Sequence, residues 1–362
     1  RLSLTETLVY EDRPHPNPAP EGEGRLFGMT RDTNSRLISL LAALAIFATP
    51  LLILLWMTAV PGQSYAGRLP AMAPDQRLLA TRLHDHVVAI ASVPHNIDHP
   101  AALERSASYI ERELAGMGYA VHRQWFEADG HQVRNIEVMI GPGVPDARTL
   151  VVGAHYDSAY DAPGANDNGS GVAALLELAR AMAGQNSRAT MRFRLVFFVN
   201  EEPPYFQTHK MGSYVYATHL AATDERVAGM LALETIGYYS DRPHSQRYPF
   251  PLDMLYPDRG NFIAFVGMTS SRGFVRKTTG AFRDTARFPS VGGSAPGFLQ
   301  GIDWSDHWSF AQTGVPALMI TDTAVFRYRF YHTANDTPDK VDYDRLARVV
   351  TDLDSVIRTW RD

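Results

Sequence analysis

The sequence predicts an α/β fold, a three-layer sandwich in which helices flank a central mixed, mostly parallel sheet, preceded by an N-terminal transmembrane helix. Segments rich in β-branched and aromatic residues alternate with helical patterns along most of the chain, as in such a sandwich. The stretch "TLVVGAH" is apolar without alternation, which is typical of a parallel strand buried on both faces. A long uncharged run near the N-terminus predicts the transmembrane helix.

Each element of the sandwich is indicated by its own pattern. Residues 75–91 carry an apolar stripe at helical spacing, and the next helix ends near Gly118, a residue suited to a helix C-cap. The strands "AVHRQWFE" and "NIEVMIG" are expected to be antiparallel neighbours. The later elements are the strand "TLVVGAH", the helix "GVAALLELARAMAG", the strand "RFRLVFFVNEE", the helix "MGSYVYATHLA", the strand "VAGMLALETIGY", a helix over residues 271–284, the strand "PALMITDT" and the helix "YDRLARVVTDLDSVIRTWR".

The N-terminal region has a different character. Residues 1–36 are expected to be a disordered tail, of which residues 1–28 are rich in Pro, Glu and Gly and can be read as a non-native extension before Met29. Residues 37–60 are uncharged and long enough to cross a bilayer. A cleaved signal peptide is the alternative, although its apolar region usually runs to only about 7–15 residues.

Charge around the apolar run predicts its orientation. Arg25, Arg31 and Arg36 precede it, whereas residues 61–66 carry no charge. Because basic residues favour the cytoplasmic side, we expect the short tail in the cytoplasm and the rest of the chain in the periplasm or another extracytoplasmic space. Residues 61–74 are expected to be a linker, and residues 75–362 a single domain.

Bulk composition narrows the classes of function. The net charge of -5 and the absence of any long basic block give no indication of nucleic-acid binding. The chain of 362 residues contains no cysteine. A bound metal would therefore have to be held by imidazoles and carboxylates.

Acidic and imidazole side chains follow four predicted strands, at or just beyond the point where each strand ends. Because the carboxyl ends of parallel strands share one edge of a sheet, these side chains are expected to meet there. They are His155, Asp157, Glu201, Glu202, Glu234 and His332.

Taken singly, each of these signals has an ordinary structural explanation. A lone H-x-D in a loop is usually solvated, and a pair of adjacent glutamates usually lies on the surface. In "FFVNEE", however, Glu201 and Glu202 directly follow a very apolar strand, where ionised carboxylates are costly unless cations balance them. The combination favours a metal site.

At this point the sequence resembles a known family. The motifs "HYDS", "GANDNGSG", "NEE", "LALET" and "YHTANDTPD" match, in order, those of the co-catalytic two-zinc aminopeptidases. That family includes bacterial leucyl aminopeptidases, glutamate carboxypeptidase II and, more distantly, glutaminyl cyclase. The resemblance covers residues 75–362, which it identifies as a zinc peptidase domain of a membrane-anchored bacterial-type member.

The resemblance implies a role for each matching residue. His155 resembles a ligand of one zinc ion, and Asp167 resembles the carboxylate that bridges both ions. Glu202 and His332 resemble ligands of the second ion. Glu234 occupies the position that completes the first ion's ligands, where many members of the family carry Asp.

Further roles follow from the same resemblance. Glu201 resembles the general base that takes a proton from the attacking water, and Asp157 the carboxylate that orients the His155 ring. The family also has a cis peptide after its bridging Asp, which implies one at Asp167–Asn168. Asp306 and His307 in "DWSDHWSF" match an Asp-His pair near the family's pocket and are candidates for contact with substrate, with a packing role as the alternative.

Two other features leave alternatives open. Asp336 in "HTANDTPD" is expected either to steady His332 or to cap a turn. The aromatic and Pro-rich stretch that follows Glu234, residues 238–261, is expected either to line the substrate entrance or to be a packed surface loop.

The predicted function is that of a metal-dependent exopeptidase, an aminopeptidase acting on peptides with a free N-terminus. Two Zn²⁺ ions are expected per chain, although Co²⁺ or Mn²⁺ would suit the same ligands. One rival is a glutaminyl cyclase-like acyltransferase with a single zinc ion, and the other an inactive binding domain of the same fold. The preferred N-terminal residue, the natural substrate and the oligomeric state are left open.

Overall fold

The computed structural model describes residues 28–142, 144, 147–184 and 191–360. The chain divides into two compact units, Arg1–Leu54 and Leu55–Asp362. Most of the tail expected over residues 1–36 lies outside the described residues. The second unit contains the whole α/β sandwich.

The helices and strands are given by their bounds. The helices are α1 (Gly28–Thr58), α2 (Pro74–Ile90), α3 (Pro100–Gly116), α4 (Gly171–Met182), α5 (Gly212–Ala221), α6 (Arg272–Thr285), α7 (His307–Gln312) and α8 (Tyr343–Arg358). The strands are β1 (His122–Ala128), β2 (His131–Ile140), β3 (Thr149–His155), β4 (Arg192–Phe198), β5 (Val227–Glu234), β6 (Ile263–Met268), β7 (Ser290–Ala295) and β8 (Ala317–Thr321).

The strands form one eight-stranded mixed sheet in the order β1-β2-β4-β3-β5-β8-β6-β7. Its four central strands, β4, β3, β5 and β8, run parallel, and β1 pairs antiparallel with β2 as predicted. Strand β6 runs antiparallel to β8, and β7 runs parallel to β6. The carboxyl ends of the four central strands therefore share one edge, while β6 and β7 end at the opposite edge.

Alternate side chains of the central strands supply two separate hydrophobic cores. Leu150 and Val152 belong to the larger core, which α2, α3, α4, α6 and α8 cover. Val151 belongs to the smaller core on the other face, together with Tyr216 of α5 and Phe310 of α7. Burial on both faces explains why "TLVVGAH" is continuously apolar. The predicted fold class, helices on both faces of a mixed sheet, is confirmed.

Three elements were missing from the sequence prediction. Strand β6 follows a Pro-rich stretch, and β7, "SVGGSA", has two glycines and little β propensity of its own. Helix α7 is only six residues long, too short to show helical periodicity. Strand β7 and helix α7 are held by packing in the folded domain, which a local pattern does not reveal, whereas the apolar run of β6 is a strand pattern that the prediction did not include.

The apolar run of the N-terminus is helical. Residues Asn34–Thr58 form a helix long and apolar enough to cross a membrane, as a membrane anchor or a signal sequence does. Residues 61–74, expected to be a linker, pack against the domain. Leu69 and Met72 contact the larger core, and Arg348 donates a hydrogen bond to the carbonyl of Pro70 at 2.7 Å.

Candidate metal centre

The ends of the central strands bring the predicted side chains to one edge of the sheet. His155 is the last residue of β3, and Glu234 is the last residue of β5. Glu201 and Glu202 follow β4, and His332 lies in the loop after β8. Because these strands are parallel, their carboxyl ends face the same pocket.

Asp167 reaches the same place from a tight turn. It lies in the turn Ala165–Ser170, in which every residue is buried. Gly164 opens this turn with φ 73°, and a Cβ there would lie 2.7 Å from the Asp167 carbonyl oxygen, so only glycine fits. The Asp167–Asn168 peptide is cis, as the resemblance implied.

The Asp167 carboxylate lies between two imidazole–carboxylate pairs. On one side, His155 Nε2 is 3.4 Å from Asp167 Oδ1 and 3.4 Å from Glu234 Oε2. On the other side, His332 Nε2 is 3.0 Å from Asp167 Oδ2 and 3.2 Å from Glu202 Oε2. Five side chains thus form two sets of three, and each set uses one oxygen of Asp167.

The donor atoms of these side chains fit a metal. His155 Nε2, His332 Nε2, both oxygens of Asp167 and Glu202 Oε1 are buried without a hydrogen-bond partner. Such atoms are costly to bury unless something else binds them. Two ligand atoms of one tetrahedral zinc ion lie about 3.3 Å apart, which matches the separations within each set. Imidazole and carboxylate groups are also the ligand types that zinc accepts.

The charges of the cluster favour cations as well. Burial raises the pKa of Glu202, and the neighbouring Asp167 carboxylate raises it further, to about 8. Burial lowers the pKa of His332, but the nearby carboxylates of Asp167 and Glu202 outweigh burial and raise the pKa to about 11. The buried carboxyl groups of the cluster outnumber its imidazoles, so a bound cation would stabilise their ionised forms.

Asp157 lies behind the His155 ring and also contacts the chain that follows β4. His155 Nδ1 is 3.1 Å from the backbone carbonyl of Asp157 and 3.7 Å from its Oδ1. The two Asp157 carboxylate oxygens accept hydrogen bonds from the backbone N–H groups of Glu201 and Glu202, at 3.1 and 3.2 Å. One carboxylate thus connects the end of β3 to the glutamate pair after β4.

Glu201 stands close to the first of the two sets. Its Oε2 is 3.8 Å from His155 Nε2, farther than the oxygens of Asp167 and Glu234. Burial raises the pKa of Glu201 well above its ordinary value, and although His155 opposes this, the negative charge of Glu234 adds to it. A carboxylate with a raised pKa can hold a proton near neutral pH.

Asp306 and His307, the two candidates for contact with the substrate, have different surroundings. Asp306 is buried, neither of its carboxylate oxygens has a hydrogen-bond partner among the described residues, and burial raises its pKa to about 7. His307 begins α7, and its Nε2 lies 2.8 Å from the carbonyl oxygen of Ile302. The adjacent Ser305 hydroxyl, which no sequence motif marks, donates to Glu234 Oε2 at 2.8 Å.

Comparison with known proteins places this arrangement in a family. The model of peptidase family M28 matches residues 135–353, which contain all of these side chains. The chain belongs to peptidase family M28. The predicted family and the predicted class of enzyme, a zinc metallopeptidase, are thereby confirmed.

Several relatives of this M28 peptidase are similar over much of its length. The uncharacterized protein YfbL of Escherichia coli is 38% identical over 85% of this chain and 94% of its own. Leupeptin-inactivating enzyme 1 of Streptomyces exfoliatus is 26% identical over 71% of this chain. This chain spans only 58% of the length of that enzyme. A probable zinc metalloprotease of Pyrenophora teres is 30% identical to this chain, which spans 46% of its length.

Solved structures share the fold of this M28 peptidase. An aminopeptidase from Aneurinibacillus sp. strain AM-1 superposes with a TM-score of 0.60 at 18% identity, covering 77% of this chain and 93% of that one. A Bacteroides thetaiotaomicron glutaminyl cyclase superposes with a TM-score of 0.58 at 19% identity, covering 81% of this chain and 100% of that one. One architecture thus carries two different activities among its neighbours.

Two carboxylates of the M28 peptidase support the Asp167 turn from outside. Asp336 accepts hydrogen bonds from the backbone N–H groups of Asn166, at 2.8 Å, and Asp167, at 3.1 Å. Asp322, just beyond β8, accepts from the Asn166 side chain at 2.9 Å and from the backbone N–H of Tyr238 at 2.7 Å. Asp336 thus binds the Asp167 turn, and Asp322, which the sequence pattern places within a strand, binds the same turn through Asn166.

Three non-glycine residues next to or within the cluster have positive φ angles. Asn200, directly before the glutamate pair, has φ 59°, Thr235, directly after Glu234, has φ 44°, and His332 itself has φ 57°. Non-glycine residues rarely adopt this left-handed conformation. Strained residues of this kind persist where the surrounding structure holds them, which is common at functional sites.

Proposed function

We propose that the chain is a two-zinc aminopeptidase in which Glu201 is the general base. The proposal is supported chiefly by one observation, the division of five ligand-type side chains into two sets that share Asp167. His155 and Glu234 would complete one set, and His332 and Glu202 the other. Co²⁺ or Mn²⁺ would suit the same donors.

Two bound zinc ions would supply Lewis-acid activation of water and of the peptide carbonyl. The protein's own side chains then have separate tasks. Asp157 holds the backbone of Glu201 and Glu202 so that their side chains enter the pocket. Glu201 accepts the proton of the attacking water at its carboxylate and returns it to the departing amine. Asp306 and His307 remain candidates for contact with the substrate.

The free α-amine of a peptide is the substrate feature that suits this pocket. In addition to the five ligand side chains, the pocket contains the buried carboxylates of Glu201 and Asp306. A buried carboxylate is stabilised by a positively charged partner. Aminopeptidase activity is therefore favoured over cleavage within a chain.

We also propose that residues 37–60 anchor the protein in a membrane, with the peptidase domain, residues 75–362, outside the cytoplasm. The proposal is supported by the length and apolarity of the helix and by the arginines that precede it. Residues 61–74 would connect anchor and domain while packed on the domain surface.

Metal content and activity together test this function. The purified full chain should contain two zinc ions by elemental analysis and should hydrolyse a panel of aminoacyl amides. Treatment with a chelator should abolish hydrolysis, and zinc should restore it. A single ion per chain with cyclisation of N-terminal glutamine would instead support the cyclase, and a chain that binds zinc but converts neither substrate would support a binding domain.

A further inference from the structure

Residues 238–261, the insert between β5 and β6, have both ends at the metal-site edge of the sheet. Strand β5 ends at this edge, and β6, which runs antiparallel to β8, begins at it. Arg327, in the loop after β8, binds the insert at three places. Its Nε donates to Gln246 Oε1 at 2.8 Å, and its Nη1 donates to the carbonyl oxygens of Tyr238 at 3.3 Å and Phe262 at 2.9 Å. One buried guanidinium thus holds the beginning, the middle and the end of the insert.

The same loop after β8 is joined to the candidate metal centre by Asp322. Asp322 Oδ1 accepts the backbone N–H of Ala324 at 2.9 Å. Its Oδ2 accepts the side-chain amide of Asn166, the residue before Asp167, at 2.9 Å. The turn Ala324–Phe326 therefore lies beside the metal centre, because one carboxylate connects it to the turn that contains Asp167.

Two loops contact Phe326 in this turn, one at its backbone and the other at its ring. The backbone N–H of Arg247, in the insert, donates to the Phe326 carbonyl oxygen at 2.9 Å. Gly301, in the loop after β7, lies against the ring, because a Cβ there would be 2.9 Å from Phe326 Cε2. Phe250 follows Arg247 by three residues, and Phe298 precedes Gly301 by three residues. Three residues of chain span at most about 10 Å, so both phenylalanines lie close to the turn.

Four exposed apolar side chains, which we call the apolar rim, lie around the Phe326 turn. They are Phe250 and Phe298, with exposed fractions of 84 and 87%, and Val325 and Leu299, with exposed fractions of 42 and 38%. Single exposed apolar side chains are ordinary on a protein surface. Several of them around one turn, beside a buried polar pocket, are typical of a binding surface.

We propose that the apolar rim binds an apolar side chain of the peptide substrate beyond the scissile bond. This inference rests on the aminopeptidase function proposed above, in which the free α-amine of the substrate lies among buried carboxylates. Because the α-amine is held inside the pocket, the later residues of the peptide leave it over its edge, where the rim lies. The rim carries no charge and therefore complements an apolar side chain. Its position beside the metal centre favours the substrate over a second copy of the chain as its partner.

A peptide scan measures this preference. The full chain in detergent is given alanine pentapeptides whose N-terminal residue is that of the fastest aminoacyl amide, with one alanine at a time replaced by phenylalanine. The aminoacyl amide is the reference substrate, because it is too short to reach the rim. Phe250→Ser and Phe298→Ser are compared with Val144→Ser. Val144 is an exposed apolar side chain in the loop before β3, at the edge of the sheet opposite the metal centre, and is the matched control.

We expect phenylalanine at one or two positions after the scissile bond to raise kcat/KM about tenfold over the alanine peptide, each rate being taken relative to the aminoacyl amide. Phe250→Ser and Phe298→Ser should each reduce this gain by about threefold or more, chiefly through KM, because part of the apolar contact is lost. Val144→Ser should retain the full gain. Hydrolysis of the amide reports in each case that the variant is folded.

A scan in which no position exceeds the alanine peptide would overturn the role of the rim and leave the aminopeptidase function standing. A gain that both variants retain would overturn it in the same way. Variants that change the particle mass in light scattering, with an unchanged scan, would assign the rim to a contact between copies of the chain and overturn the inference. Failure of the unmodified chain to hydrolyse any aminoacyl amide or peptide would overturn the proposed function, and this inference with it.

Discussion

The carboxylate of Asp336 accepts a hydrogen bond from the backbone N–H of Asp167, with Oδ2 and N 3.1 Å apart. The acceptor and the donor are 169 positions apart in the chain. Asp336 Oδ1 also accepts the Tyr328 hydroxyl at 2.6 Å, so the supporting carboxylate is itself held in place. The side chain proposed to bridge two metal ions is thus positioned through its own backbone.

Replacing Asp336 with Asn should therefore weaken metal binding without removing a ligand. The new amide group would place a donor or a poorer acceptor against two backbone N–H groups, and the Asp167 turn would lose its support. We expect about a 10–100-fold loss of zinc affinity, measured by competition with a chromogenic chelator. Asp339→Asn, an exposed carboxylate of the same loop, is the matched control and should bind zinc like the unmodified chain.

Glu201 and Glu202 are adjacent but should respond differently to the same change. Glu201→Gln should keep both zinc ions and lower kcat by about 10²–10⁴-fold, because only the proton acceptor is lost. Glu202→Gln should lose zinc, because its oxygen lies in the set around His332. The zinc content by elemental analysis and the kcat of both variants distinguish a lost proton acceptor from a lost metal ligand. Equal loss of zinc in both variants would contradict the proposed roles.

Asp157→Asn should lower kcat even when zinc is saturating. The change leaves one carbonyl oxygen where two carboxylate oxygens now accept the backbone N–H groups of Glu201 and Glu202. Misplacing these side chains by a fraction of an ångström weakens a proton transfer that depends on short contacts. Steady-state kinetics at increasing zinc concentration measure the effect. Full recovery of kcat at high zinc would show that Asp157 acts through metal affinity alone.

Glu177 gives the fold a defined response to acid. It is buried in α4 and binds Arg82 at 2.7 Å, His86 at 3.0 Å and Arg180 at 2.9 Å. Burial raises its pKa, but these hydrogen bonds outweigh burial and lower the pKa from 4.5 to about 2. Since the folded state has the lower pKa, the stabilisation is complete above pH 4.5 and is lost as the pH falls towards 2.

The variant Glu177→Gln should accordingly be less stable by roughly 3 kcal/mol at neutral pH, because Arg82 and Arg180 lose the buried carboxylate that they share. Thermal unfolding in detergent between neutral pH and pH 3 should show the difference from the unmodified chain shrinking in acid. Glu113→Gln, which removes a more exposed partner of Arg180, should cost less than about 1 kcal/mol and is the control. A difference that grows in acid would refute the assignment.

Sequence patterns were sufficient for the parts of the site that lie at strand ends. His155 and Glu234 terminate apolar strands whose burial dictates their composition, so both the strand and its end were visible. The hydrogen bonds that support these side chains could not be predicted from the sequence, because their donors are backbone N–H groups, which no side-chain pattern encodes. Asp157 and Asp336 both act in this way. The role of each ligand stays a prediction until metal is bound.

The far end of the sheet was also beyond the sequence patterns. Strand β7 contains Gly292 and Gly293 because the segment after α1 and the Tyr256 ring lie against its backbone. A strand whose backbone is in close contact with other segments needs small residues, and it therefore has few of the β-branched residues by which strands are recognised in a sequence.

The opposed directions of β6 and β8 have a consequence for access by substrates. Trp56 is held near the end of β6, whereas His155 and Glu234 end strands that run the other way. Strand β6 alone, at six residues, separates these two levels by about 20 Å. The segment that contains Trp56 is therefore held at the sheet edge away from the candidate metal centre and does not lie across the approach to it.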